Sequence, residues 1–225
     1  MLHKTGGIAL SFIKYKESSI IARIYTEAFG LQSYIVNGVR SKKAKTKIAL
    51  FQPLTLLDLV VYHNKKRDIN RISEIKCNYN FHTIPFQIKK TSIALFLTEL
   101  LNQLLSEEEN EHMYLFLRES IQYFDTMETG YENFHLQLLL GLSKYLGILP
   151  PSGLELLKEV GHAKAHDPKF VDIIHGILNK GYEAQIAMNG KTRSQALQAI
   201  IDYYRFHYDG IRELKSMNVL KEVLN

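Results

Sequence analysis

The segment Arg40-Ser-Lys-Lys-Ala-Lys-Thr-Lys47 puts five cations and no anion into eight residues, next to the flexible pair Asn37-Gly38. Arg40, Lys42, Lys43, Lys45 and Lys47 on a loop suit a phosphate chain, because such cations displace counterions from the backbone without committing to a base sequence. A second group, Lys65, Lys66 and Arg67, falls between two strand-like runs. Tyr15, Tyr25, Tyr34, Phe51 and Tyr62 are interleaved with these runs. Aromatics of this kind stack on unpaired bases, and they equally serve as the core of a small β-domain.

Other motif-like segments along the chain lack the spacing or context their chemistry needs. Gly190-Lys191-Thr192 looks like the end of a phosphate-binding loop, but Gln185 stands where that motif needs glycine. Thr192 or Ser194 is therefore read as a helix cap. Ser11 and Lys14 have the separation of a Ser/Lys nucleophile pair, yet on a strand they face opposite sides. His162 and His166 are four apart with Asp167 adjacent, a pair that would share one helix face, but no further ligand is in view and Pro168 interrupts the helix. Glu107 to Glu109 with Glu111 read as a solvated acidic connector between helices. No catalytic residue, metal site or cofactor is expected.

The elements that must position the cations follow from periodicity. Ile8, Leu10 and Phe12 fall two apart, as do Ile20, Ala22 and Ile24, then Leu31, Ser33 and Ile35, then Leu57, Leu59 and Val61. Each set predicts one face of a strand. Turn signals separate them at 16–18, 29–30, 37–38 and 63–68, and a fifth strand is predicted from Arg71 to Tyr79. Five short strands, with a polar excursion at 40–50 that could be helical, match a small partly open barrel of the OB type; an SH3-like barrel remains open. After Pro85 the period becomes helical. Helices are predicted from Ile88, over Met113–Met127 and Phe134–Leu146, and then over Gly153–Val160, Pro168–Leu178, Ser194–His207 and Ile211–Leu224. The fold class is thus α+β and multidomain: an OB-fold barrel over residues 1–80, then an all-α domain over 81–225.

Charge divides along the same line. Of 225 residues with a net charge of +5, residues 1–80 carry 14 Lys and Arg against 5 Asp and Glu, a balance of +9, and the rest carry 14 against 18, a balance of −4. A basic module joined to a mildly acidic one points to a polyanion partner for the first. At 46% hydrophobic and 23% charged, with 5 Pro and one cysteine, Cys77, the composition is that of a folded soluble chain and excludes collagen, a disulfide scaffold and an all-cysteine zinc site. The apolar stretch from Gly6 to Ile13 is too short for a signal peptide, and no run reaches the roughly 18 residues of a membrane span. A cytoplasmic protein is the expectation.

In order and spacing, several segments resemble the bacterial DNA repair protein RecO family. They are Ile8-Ala-Leu-Ser-Phe-Ile-Lys-Tyr-Lys-Glu-Ser-Ser19, Thr26-Glu-Ala-Phe-Gly30, Asn37-Gly-Val-Arg-Ser41, Gln52-Pro-Leu-Thr-Leu-Leu-Asp58, Leu142 to Pro150, and Tyr203-Tyr204 through Glu213-Leu-Lys-Ser216 to Val219-Leu220. The resemblance implies a recombination mediator that binds single- and double-stranded DNA, anneals complementary strands and assists loading of RecA together with RecR. It also implies contact with the acidic, apolar-ended tail of the single-stranded-DNA-binding protein. A groove for that tail needs a cation at its rim, and between 81 and 147 the cations are Lys89, Lys90, Arg118 and Lys144. Arg118 and Lys144, the latter following Leu136, Leu139 and Leu140, are the candidates. Many relatives carry a four-cysteine zinc site around 150–180, where this chain has no cysteine. The charge pattern by itself suits an RNA-binding OB protein equally well, and an enzyme with scattered catalytic groups is the third alternative.

Overall fold

The structure, a computed structural model, describes residues 1–39 and 45–224, for residues 45 and 46 the backbone alone. Arg40, Lys42 and Lys43 lie outside the described residues, and so does the side chain of Lys45. Five strands, β1 (Leu2–Tyr15), β2 (Ser19–Thr26), β3 (Gly30–Val36), β4 (Leu56–Tyr62) and β5 (Ile69–Cys77), close into a barrel in the order β1-β2-β3-β5-β4. All neighbours run antiparallel except β3 and β5, whose parallel pairing of Ser33 to Ile69 and Ile35 to Arg71 completes the ring. This is the OB arrangement, which resolves the alternative left open above. A short helix α1 (Lys45–Ile48) and a 3₁₀ turn (Ala49–Phe51) follow β3, and Phe51 packs into the barrel core.

Two of the alternating sets meet the barrel as expected: Ile20, Ala22, Ile24 and Leu57, Leu59, Val61 all lie in its core. The other two do not, for identifiable reasons. A bulge between Ala9 and Ser11 shifts the register of β1, so Ile8 and Leu10 face out toward the helices, while Phe12 pairs with Ala22 on the opposite side. In β3 the core takes Tyr34 and Val36, and Leu31 joins the helical core instead. A strand covered on both faces loses the one-sided alternation on which the sequence reading relied.

Seven further helices, α2 (Ile88–Leu104), α3 (Glu111–Thr126), α4 (Phe134–Tyr145), α5 (Gly153–Glu159), α6 (Pro168–Asn179), α7 (Gly190–His207) and α8 (Lys215–Leu224), form the rest of the described chain. Their starts are set by side chains that accept otherwise unpaired amides: Asn110 from Met113 N at 2.9 Å, Ser152 from Glu155 N at 3.2 Å, Asp167 ahead of Pro168, and Asn189 from Thr192 N at 2.8 Å. Asn189, and not Thr192 or Ser194, is thus the cap of α7, which begins four residues earlier than its apolar period implied. No described helix is long and apolar enough to cross a membrane.

The barrel docks on the helices without an intervening polar seam, since Ile8, Leu10, Tyr25, Leu31, Leu54 and Leu56 belong to the same buried cluster as Phe96, Leu100 and Tyr114. Gly30 permits this approach. Its φ of +62° is left-handed, Leu31 N donates to Ser106 O at 2.8 Å, and a Cβ on Gly30 would collide with the Glu108 carbonyl. The connection at 78–87 is clamped by buried Asp125. Its Oδ1 accepts from Thr83 N and Ile84 N, each at 2.9 Å, and its Oδ2 from His82 N at 2.8 Å. Buried Lys90 completes the knot, donating to Thr83 Oγ1 at 2.7 Å and to the carbonyls of Phe124, Asp125 and Met127 at 2.9, 3.0 and 2.6 Å. It is a satisfied structural lysine and not a surface cation.

Candidate nucleic-acid interface

Strand register divides the outer face of the barrel in two. Toward one end, Ile8, Tyr25, Leu31 and Leu56 point outward and are covered by the helices. Toward the other end the outward row Ser11, Arg23, Ser33, Ile69 runs across β1, β2, β3 and β5. Beside it runs a second row, Ile13, Ile21, Ile35, Arg71, Tyr62, Leu2, which passes on to β4 and back to β1. This half is open: Arg23 and Arg71 are exposed, as are Ile13 at 64% and Tyr62 at 49%. Its chemistry is two guanidinium groups over a patch of apolar and aromatic side chains, the combination that holds phosphates while accommodating base faces.

The β4–β5 hairpin rims this open half. Asn70 Oδ1 accepts from Asn64 N at 2.9 Å, Asn64 Oδ1 accepts from Lys66 N at 2.9 Å, and Arg67 N donates to Asn64 O at 3.0 Å. Two asparagines thereby satisfy the turn backbone, which leaves the side chains of Lys65, Lys66 and Arg67 in solvent. The base of the hairpin is fixed by Phe29, whose ring stacks on His63 at 3.9 Å and meets His3 edge-on at 5.3 Å. Burial, then His3, Lys65 and the chain's amino group hold the His63 imidazole below its usual range, disfavouring its charged form. At the other rim, the Lys16 ammonium sits 5.4 Å over the Tyr15 ring in the β1–β2 turn.

Of the residues singled out from sequence, Lys65, Lys66, Arg67 and Lys47 are exposed, and the cluster at 40–45 falls on residues or side chains outside the description. Among the aromatics, Tyr15 and Tyr62 are exposed, whereas Tyr25, Tyr34 and Phe51 are core. Arg23 and Arg71 were missed, although the alternation that puts Ile24 and Ile72 inside puts both arginines outside. The signal was present in the strands, while the loops held the denser charge. Arg118 on α3 lies 3.8 Å from Glu119, and Lys144 is exposed in the last turn of α4. The leucines beside Lys144 in sequence, Leu136, Leu139 and Leu140, are wholly in the core, so the apolar surface between these helices is the half-buried stack of Phe116 on Tyr145 at 4.8 Å.

The remaining candidates take structural roles. His162 caps a 3₁₀ turn that ends at His166, in which residues four apart do not share a face, and His162 Nδ1 accepts from Lys164 N at 3.2 Å. Among the described residues, no three of His, Cys, Asp and Glu converge as a metal site. Ser11 Oγ donates to Asn102 Oδ1 at 3.4 Å, and Lys14 occupies the opposite side of the strand.

Comparison with known proteins gives a consistent answer. Residues 1–81 match the family described as Recombination protein O N terminal, and residues 85–152 match Recombination protein O C terminal. The chain is 34% identical over 242 positions to a DNA repair protein RecO of Bacteroides fragilis, with all of both chains covered. It is 35% identical over 243 positions to that of Phocaeicola vulgatus, again over the whole of both, and 35% identical over 241 positions to that of Flavobacterium psychrophilum, over 99% of each.

Proposed function

The chain belongs to the DNA repair protein RecO family, and from that premise we propose that it is a non-enzymatic recombination mediator. In this reading it binds single- and double-stranded DNA and anneals complementary strands in the cytoplasm. It also assists RecA loading with RecR and contacts the single-stranded-DNA-binding protein. The observation that carries the DNA-binding reading is the open half of the barrel's outer face, where Arg23 and Arg71 lie among exposed apolar side chains beside the Lys65-Lys66-Arg67 hairpin. Guanidinium and ammonium groups without a dedicated base-reading element favour backbone recognition, so affinity depends on salt and little on sequence. Annealing follows from the same property, because two strands whose charge is neutralised on one surface repel each other less.

The test is annealing of complementary oligonucleotides, naked and pre-coated with single-stranded-DNA-binding protein, with the full chain added. Acceleration in both cases is expected. A chain that binds neither single-stranded nor duplex DNA would overturn the reading, and tighter binding to RNA than to DNA of the same sequence would move the function to RNA.

A further inference from the structure

A groove of about 980 Å³ runs along the seam between the barrel and helices α2 and α8. Its apolar floor includes Phe12 and Phe51 from the barrel side, with Leu95 from α2 and Val219 from α8. Phe12, Leu95 and Val219 are 38%, 46% and 51% exposed, unusually high for side chains of this type gathered in one concavity. Phe12 meets Phe51 edge-on, with ring centres 6.5 Å apart.

Three cations line the groove: Arg23 from the barrel, Arg212 from the segment between α7 and α8, and Lys215 from the start of α8. That segment is pinned in place. Arg212 N donates to Gln103 Oε1 at 2.7 Å, Lys215 N to Glu99 Oε1 at 3.0 Å and Ser216 N to Glu99 Oε2 at 2.8 Å, and the Ser216 hydroxyl also donates to Glu99. Glu99 is therefore engaged by the first amides of α8. Burial raises its pKa, but the Ser216 and Lys215 hydrogen bonds outweigh that and keep it ionised as a cap. The other carboxylate of the groove is Glu213, one free-standing anion against three cations.

Arg23 belongs to two surfaces at once, because it lines the groove and also sits in the outward row with Ser33 and Ile69. We propose that single-stranded nucleic acid lying on the open half of the barrel continues past Arg23 into this groove, where Arg212 and Lys215 hold its phosphates and Phe12 stacks on an unpaired base. The inference rests on the function proposed above and extends its site into the helical part of the chain. Single strands are selected because a duplex keeps its base faces inside its own stack, which leaves nothing for an apolar floor to take up. OB-type sites span roughly 4–16 nucleotides, so a strand that starts on the barrel has length to reach the seam.

The experiment titrates an oligothymidylate and a duplex of equal length, across a range of salt, against the full chain and two variants, Arg212→Ala/Lys215→Ala and Phe12→Leu, whose melting curves are checked against the parent. Loss of two phosphate contacts should make the log–log salt slope on the single strand shallower by about 1.4 and leave duplex binding as it was. Phe12→Leu should weaken single-strand binding by roughly 5- to 150-fold. Unchanged single-strand affinity and slope in both folded variants, with the parent still binding DNA, would overturn the groove assignment alone. A parent that binds no DNA overturns this inference and the proposed function together. If an acidic, apolar-ended peptide binds the parent and not the double variant while DNA affinity stays constant, the groove belongs to a protein partner and the inference fails.

Discussion

Asp125→Ala removes the acceptor on which the connection between barrel and helices is folded. Ile84 N is in the core, and without Asp125 Oδ1 it has no alternative partner; an unmade bond of this kind costs about 1–3 kcal/mol. Thr83 N and His82 N are closer to solvent and regain water in part, so each adds roughly 1 kcal/mol. The total is about 3–5 kcal/mol, a large share of a domain's stability. Asp125→Asn keeps the oxygen that serves both Thr83 and Ile84 and presents an amide to His82 in place of Oδ2, so its loss should be only about 1–2 kcal/mol. Urea unfolding reads the difference: at a slope of about 2–3 kcal/mol per M, the alanine midpoint falls by roughly 1–2 M and the asparagine midpoint by less than half of that. An alanine variant within about 1 kcal/mol of the parent, or an asparagine variant as damaged as alanine, would refute the clamp.

Burial, with Arg193 adding to it, pushes the His135 imidazole down to about 3, so the folded chain keeps it neutral while the unfolded chain protonates near 6.5. The stability it contributes is whole above 6.5 and is lost as pH falls toward 3. The loss between pH 6.5 and 4.5 is about 2–3 kcal/mol, and His135→Phe should flatten that part of a stability–pH curve measured by denaturant unfolding; an unaltered curve would exclude the residue as its source. Replacing Arg40, Lys42, Lys43, Lys45 and Lys47 with alanine should weaken DNA binding and leave the circular dichroism spectrum and melting unchanged. Equal affinity in the folded variant would remove the segment from the interface. Arg118→Glu/Lys144→Glu should lose affinity for the tail peptide of the single-stranded-DNA-binding protein and retain DNA binding, and calorimetry with undiminished peptide binding would place the docking site elsewhere.

The architecture was readable where one physical constraint acted alone. Ile20, Ala22 and Ile24 face a single core and alternate cleanly, and α4 begins at Phe134 where its helical period starts and α6 at Pro168, a residue suited to a first helical turn. The sequence misled where two constraints met. Ile8 and Leu10 serve the helical core while Ala9 between them serves the barrel, and the bulge that makes this workable leaves no residue-type signature. Gly190 to Arg193 carry no apolar residue, so periodicity missed the first turn of α7, which Asn189 holds by a hydrogen bond. The hairpin cations were legible as a charge cluster. Arg23 and Arg71 stand out less, because neither has a cation next to it in sequence, and only the pairing of β3 with both β2 and β5 brings them to one face.

The claim that the barrel's open face grips the nucleic-acid backbone is tested most directly by the salt dependence of single-stranded DNA affinity in the parent and in Lys65→Ala/Lys66→Ala/Arg67→Ala. With four or five phosphates neutralised on that face, its share of the parent's log–log slope should be roughly −3 to −3.5, and the triple variant's slope should be about 2 units shallower at unchanged melting temperature. A parent affinity indifferent to salt, or a folded triple variant with the parent's slope, would contradict the account.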